Sequence, residues 1–131
     1  NLIQDRLFVG IFPALQEAGI AALLDPKSEE AVAQLNVTYD SRRDAFVQAA
    51  VKIGWQAFPS RGSFYAWMPV PEGYTSESFA DLLLEKAHVA VAPGKGFGPA
   101  GDAYVRIGLL VEPERLVEAV DRIANLHLFN N

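Results

Sequence analysis

Apolar positions recur along this chain in two rhythms. Phe12, Leu15, Gln16, Gly19 and Leu23 lie three or four residues apart, a spacing that gathers side chains on one face of a helix. Pro13 falls in the first turn, where a missing N–H does no harm. After the break Asp25-Pro26-Lys27-Ser28, the positions Val32, Leu35, Tyr39, Arg43, Phe46, Ala50 and Ile53 keep the same interval. They predict one long amphipathic helix, capped by Ser28 and stopped by Gly54. The rhythm then shortens. Trp55-Gln56-Ala57-Phe58 alternates as a short strand does, and the aromatic-rich stretch from Gly62 to Met68 reads as a second strand. Beyond Pro69-Val70-Pro71-Glu72-Gly73, a helix runs through Phe79, Leu82, Leu83 and Lys86, with Ser76 as its cap. Val89 to Ala92 reads as a short buried strand. Pro93 to Gly101 holds four glycines and two prolines and breaks the pattern again. Ala103 to Leu110 alternates, with Tyr104, Arg106 and Gly108 on one face and Val105, Ile107 and Leu109 on the other. Pro113 opens a last helix through Leu116, Val117, Val120, Ile123 and His127.

The order α-α-β-β-α-β-β-α predicts an α/β sandwich of the α+β kind, a small mixed or antiparallel sheet with helices packed on it. A length of 131 residues, half of them hydrophobic, suits a single compact domain. The net charge of -5 argues against nucleic acid or an anionic membrane as partner, because both reward basic patches. The absence of cysteine excludes disulfide frameworks, thiolate zinc sites and cysteine nucleophiles. No apolar stretch approaches the ~18 residues of a membrane span.

Three features are candidates for chemistry. Gly94-Lys95-Gly96-Phe97-Gly98 has the look of a phosphate cradle, but no helix opens after it and Lys95 is not followed by Ser or Thr. Its glycines suit a flexible connection, or a backbone that approaches a ligand closely. Arg106 sits inside an apolar strand, where a charge needs a partner. A structural salt bridge and a fork for a substrate carboxylate satisfy that need equally. The aromatic residues around Ser63 and Phe64 fit core packing, and Arg42 and Arg43 fit a solvated or paired helix face. His88 and His127 are far apart, match no metal spacing and suit helix C-termini. No catalytic set assembles and no metal site is expected.

Arg42-Arg43-Asp44, Gly62-Ser63-Phe64-Tyr65-Ala66-Trp67, Val91-Ala92-Pro93-Gly94-Lys95-Gly96-Phe97-Gly98 and Tyr104-Val105-Arg106-Ile107-Gly108 occur in that order. Their spacing resembles the C-terminal part of class I/II aminotransferases, pyridoxal-phosphate enzymes of fold type I. Leu7 to Gln16 resembles the family's entry into the helix leaving the large domain, and Glu114 to Val120 its closing helix. The resemblance implies that Arg106 clamps the substrate carboxylate and that Gly62, Ser63 and Phe64 border the substrate side chain. It implies that Gly94, Phe97 and Gly98 form a loop approaching the active site; Lys95 stands where the family usually has a small or polar residue and is given no role. The Schiff-base lysine and the phosphate-binding segments have no match here and are expected upstream. Residues 1–131 thus read as the small C-terminal domain of a cytoplasmic aminotransferase without its large domain. A first residue other than Met agrees with a chain cut from something longer.

On this reading the isolated chain does not transaminate and binds no cofactor. The full-length enzyme carries pyridoxal phosphate, forms a homodimer and exchanges an amino group between an amino acid and a 2-oxo acid. A lyase or synthase sharing the domain, a free-standing module for small carboxylates and a purely structural domain are the alternatives. The apolar stretch Leu7 to Leu24 is expected to be exposed in isolation and to promote weak self-association.

Overall fold

The computed structural model describes residues 10–58 and 60–129. The chain divides into two compact units, Asn1–Asn36 and Val37–Asn131. In the first, helix α1 (Pro13–Leu24) starts with its proline in the first turn, as the spacing predicts. None of its residues is buried. Ile11, Phe12, Leu15, Ile20, Leu23 and Leu24 are all exposed; the Leu7–Val9 part of this segment lies outside the described residues. Helix α2 (Ser28–Lys52) follows. Ser28 is its first residue rather than its cap. Asp25 makes the turn instead, its carboxylate accepting the Lys27 N–H at 2.8 Å and its carbonyl the Ser28 N–H at 2.9 Å. The stripe predicted along α2 is buried only in the second unit, at Phe46 and Ala50 with neighbouring Ala49, while Val32 and Leu35 stay exposed. Gly54 ends the helix in the left-handed region at φ 83°.

The second unit contains β1 (Tyr65–Pro69), α3 (Ser76–Leu82), β2 (Ala92–Pro93), β3 (Tyr104–Gly108) and α4 (Pro113–Ala124). The sheet order is β1-β3-β2 with both pairs antiparallel, an α+β arrangement as expected. The inner face of the sheet, with Ala66, Met68, Val105 and Ile107, joins Phe46 and Ala50 of α2, Phe79 of α3 and Leu116, Val120 and Ile123 of α4 in one core. The α4 stripe falls at the predicted spacing.

Several expected elements differ. Trp55–Phe58 is irregular rather than a strand. The Trp55 N–H closes the end of α2 on the Ala50 carbonyl at 3.0 Å, and its indole N–H donates to the Pro69 carbonyl at 2.8 Å. Its ring meets Phe46 and Phe79 edge-on and stacks on Phe129, so packing rather than pairing fixes it. Gly62, Ser63 and Phe64 form a bend before β1, with Ser63 at φ 71°. The strand expected over Val89–Ala92 is instead the two residues Ala92–Pro93, and Pro93 has no N–H with which to carry the ladder further. Helix α3 is capped by Thr75, whose hydroxyl accepts the Ser78 N–H while Ser78 accepts the Thr75 N–H. A π-helical turn (Leu83–Ala87) prolongs it and ends at His88, φ 55°. His127, φ 53°, follows α4. Both histidines therefore lie just past helix ends.

Between β2 and β3 the chain makes two short 3₁₀ turns, Gly94–Phe97 and Pro99–Ala103. They cross backbone to backbone. A Cβ on Gly94 would lie 2.2 Å from the Gly101 carbonyl oxygen, and one on Gly101 would lie 2.0 Å from that of Gly94. The glycine at 94 thus admits this chain's own backbone. Around Gly96 there is open space among the described residues. Gly94→Ala should therefore lower stability by about 1–3 kcal/mol or more, as overpacking does, and Gly96→Ala by no more than about 0.5 kcal/mol. Urea unfolding of the two variants beside the parent checks this contrast.

Candidate functional site

Arg106 occupies the middle of β3, the central strand, between Trp67 of β1 and Ala92 of β2. The pleat sends its neighbours Val105 and Ile107 into the core and Arg106 to the outer face, where it is half-buried. Its guanidinium carbon lies 4.0 Å from the centre of the Tyr65 ring and 4.0 Å from that of Phe97. Tyr65 belongs to the strand on one side of β3 and Phe97 to the loop that follows the strand on the other. Among the described residues Arg106 has no ion pair and no hydrogen-bond partner for its guanidinium. Of the two partners the strand position allows, the structural carboxylate is not what these residues supply.

The rings extend into a row. Phe64 lies 4.5 Å from Tyr65 and 5.7 Å from Tyr39 of α2, centre to centre. On the other side Phe97 meets Trp67 at 5.5 Å, and Trp67 meets Tyr104 at 6.4 Å. Three of the site residues expected from the sequence, Arg106, Phe64 and Phe97, are thereby brought into one row. Gly62 and Ser63 form the bend that delivers Phe64, and Gly94 and Gly98 bracket the turn that delivers Phe97. The row also takes in Tyr65 and Trp67, expected in core packing, Tyr39, expected on a helix face, and Tyr104, expected on the Arg106 face of its strand. Tyr65 and Trp67 alternate with buried Ala66 and Met68. That period of two was the signal that could have moved them to the outer face.

The loop carrying Phe97 is tied to the start of α3. The buried Ser76 hydroxyl donates to the Asp102 carboxylate at 2.7 Å, the Ser76 N–H donates to the same oxygen at 3.1 Å, and the Lys95 N–H donates to the hydroxyl at 3.3 Å. The Ser76 side-chain bond, then its N–H, hold the Asp102 carboxyl below the usual carboxylate range, with Lys95 adding a smaller favourable charge. The Lys95 ammonium pairs with Glu77 at 2.7 Å, and that hydrogen bond and charge raise its pKa above the usual lysine value. An imine to pyridoxal phosphate requires a free amine, and the Lys95 nitrogen is engaged by Glu77.

The helix-face arginines are paired, as expected. Arg43 bonds Asp40 at 2.6 Å and Asp44 at 2.8 Å, and Arg42 bonds Glu112 at 2.6 Å. Among the described residues there is no cluster of three or more His, Asp or Glu able to hold a metal. No helix among them is long and apolar enough to cross a membrane.

Residues 2–123 match the family model for aminotransferase class I and II. The L-glutamine--4-(methylsulfanyl)-2-oxobutanoate aminotransferase of Bacillus subtilis (strain 168) is 57% identical over 129 residues, 98% of this chain and 32% of its own length. The LL-diaminopimelate aminotransferase of Moorella thermoacetica is 44% identical over 121 residues, 92% of this chain and 30% of its own. Among solved structures, apo BacF from Bacillus subtilis superposes with a TM-score of 0.88 at 40% identity, covering all of this chain and 34% of BacF. An aminotransferase from Staphylococcus aureus gives 0.84 at 37% identity, over 97% of this chain and 34% of that one. The chain thus spans about a third of the length of these relatives.

The lowered Asp102 pKa sets a pH dependence. The tie contributes to stability above the ordinary carboxylate value of about 4 and is lost as pH falls through the lowered folded value. Asp102→Asn should therefore be less stable than the parent at neutral pH, with the gap closing below about pH 4. Denaturant unfolding from pH 7 to pH 2 measures it, and a gap that stays constant contradicts the assignment.

Proposed function

The chain belongs to the aminotransferase class I and II family, and we propose that it is the small C-terminal domain of a pyridoxal-phosphate-dependent aminotransferase, the part that recognises substrate. The observation that carries this is the half-buried Arg106 guanidinium, held between two rings with no carboxylate opposite it among the described residues. A guanidinium presents five N–H donors in one plane and matches a carboxylate with two parallel bonds. An amino acid and its 2-oxo acid differ at the α-carbon and share the carboxylate. One fixed fork therefore serves both halves of an amino-group exchange, whichever substrate occupies the site. Phe64, on the bend of Gly62 and Ser63, borders the substrate side chain. The loop of Gly94, Phe97 and Gly98 approaches the same site and, in closing, excludes water from it.

In this proposal the full-length enzyme is a cytoplasmic homodimer of amino-acid metabolism. Its large domain brings the pyridoxal phosphate and the lysine that binds it, and the cofactor supplies the electron sink for proton removal at the α-carbon. The exposed rings beside Arg106 suit an apolar side chain, and a thioether packs well against aromatic rings. The relative that is 57% identical is named for L-glutamine and 4-(methylsulfanyl)-2-oxobutanoate, which supports that pair as the substrates.

The test uses the full-length protein loaded with cofactor. Losing one or two charge-assisted bonds of about 1.5–3 kcal/mol each should raise KM for 4-(methylsulfanyl)-2-oxobutanoate at least ~10-fold in Arg106→Gln. An unchanged KM overturns the role of Arg106. Borohydride reduction should trap the pyridoxyl group on a lysine outside these 131 residues; stoichiometric trapping on Lys95 would overturn the division of labour between domains.

A further inference from the structure

We propose that Phe97 and Tyr65 are positioning residues for the Arg106 fork, a role that rests on reading Arg106 as the carboxylate site. An arginine on the outer face of a strand has several rotatable bonds and many rotamers, and a ligand that needs one of them must first freeze the rest. A neighbouring carboxylate is the common way to fix such a side chain, but it would occupy the same N–H donors that a substrate must use. A ring acts differently. The attraction between a cation and an aromatic ring works through the ring's face and the guanidinium's face, and so leaves the N–H donors, which lie in the guanidinium plane, available at its edge. Both ring centres stand 4.0 Å from the guanidinium carbon, so Arg106 is oriented while its fork stays open.

Each ring is itself placed by the fold. Tyr65 pairs across the ladder with Gly108. Gly108 stands two residues from Arg106 on the same face of β3, so the register sets Tyr65 diagonally beside Arg106. Phe97 ends the first 3₁₀ turn of the loop, whose start is fixed by the Gly94–Gly101 crossing. The Asp102–Ser76–Lys95 bonds tie both turns to α3, and Trp67 meets the Phe97 ring edge-on. Phe97 thus links the loop's conformation to the orientation of Arg106.

The experiment compares two competitive inhibitors of the cofactor-loaded, full-length protein, 4-(methylsulfanyl)butanoate and its carboxamide. They share a side chain, and only the acid can take the fork as an anion. Phe97→Leu should weaken the acid about 10-fold, within the range of one lost cation–ring contact, and leave the carboxamide unchanged. Phe97→Tyr, which keeps a ring, should restore the acid's affinity. Equal weakening of acid and carboxamide would mean general damage to the loop and overturn the proposal, as would failure of Phe97→Tyr to rescue, or no effect of Phe97→Leu on either inhibitor. Arg106→Gln separates this from the reading beneath it. If that variant binds the acid as tightly as the parent, the carboxylate site itself is wrong; if it loses the acid while Phe97→Leu does not, only the positioning role fails.

Discussion

A planar cation can be held by its edges or by its faces, and the outer face of this sheet is arranged around the second choice. Arg106 sits on the central strand of three, so each side of it is flanked by chain that can carry a ring. Tyr65 comes from one flank and Phe97 from the other. A strand on the edge of the sheet would have offered one such flank and left the other side to water. The order β1-β3-β2, with the last strand in sequence placed in the middle, is what makes a two-sided hold available.

Holding by faces demands accuracy in the elements that bring the rings. An ion pair tolerates some drift, since charge attraction falls off slowly with distance, whereas a ring must lie over the cation within a few ångströms. On the β1 side the ladder register provides that accuracy. On the other side there is almost no ladder, because β2 is two residues long and Pro93 ends it. The crossing of Gly94 and Gly101 takes over the task, as do the bonds of Asp102 to Ser76. Gly94 is buried, in a loop whose other glycines at 96 and 98 would meet nothing if a Cβ were added. The glycines of this segment are thus of two kinds, and only the crossing pair is required by contact.

This difference also explains what could be read from the residues and what could not. Helices α1, α2 and α4 were legible because their spacing, prolines and terminal Gly54 are local signals. The alternation of Val105, Arg106 and Ile107 was legible for the same reason. Trp55 looked like a strand residue because alternation over four positions says nothing of where an N–H goes, and its N–H goes to α2. Ser76 looked like a cap because it is a serine at a helix start; Asp102, twenty-six residues later, takes its hydroxyl instead. Arg106 could be marked as needing a partner, yet the partner's nature depended on Tyr65 and Phe97, forty-one and nine residues away. Long-range pairing is carried by no single segment. The family resemblance placed Arg106 and Phe97 in the site, but it supplied no reason for a ring at either flank.

The same strand that holds the site also holds the fold. Val105 and Ile107 are anchored among Met68, Phe79 and Val120 on the inner face, and a pleated strand cannot move one face without moving the other. The position of Arg106 is therefore set twice: by core packing beneath it, which fixes the backbone, and by rings above it, which fix the side chain. The two constraints are separable. A change in the core would shift where the guanidinium starts from, together with the whole outer row. On the proposed positioning role, a change in a ring would alter which way the fork faces while β3 keeps its place in the sheet. The proposed recognition of a carboxylate would require both, since two parallel hydrogen bonds depend on position and orientation together. In this chain the β-strand supplies the first, and aromatic neighbours drawn from two separate stretches of sequence supply the second.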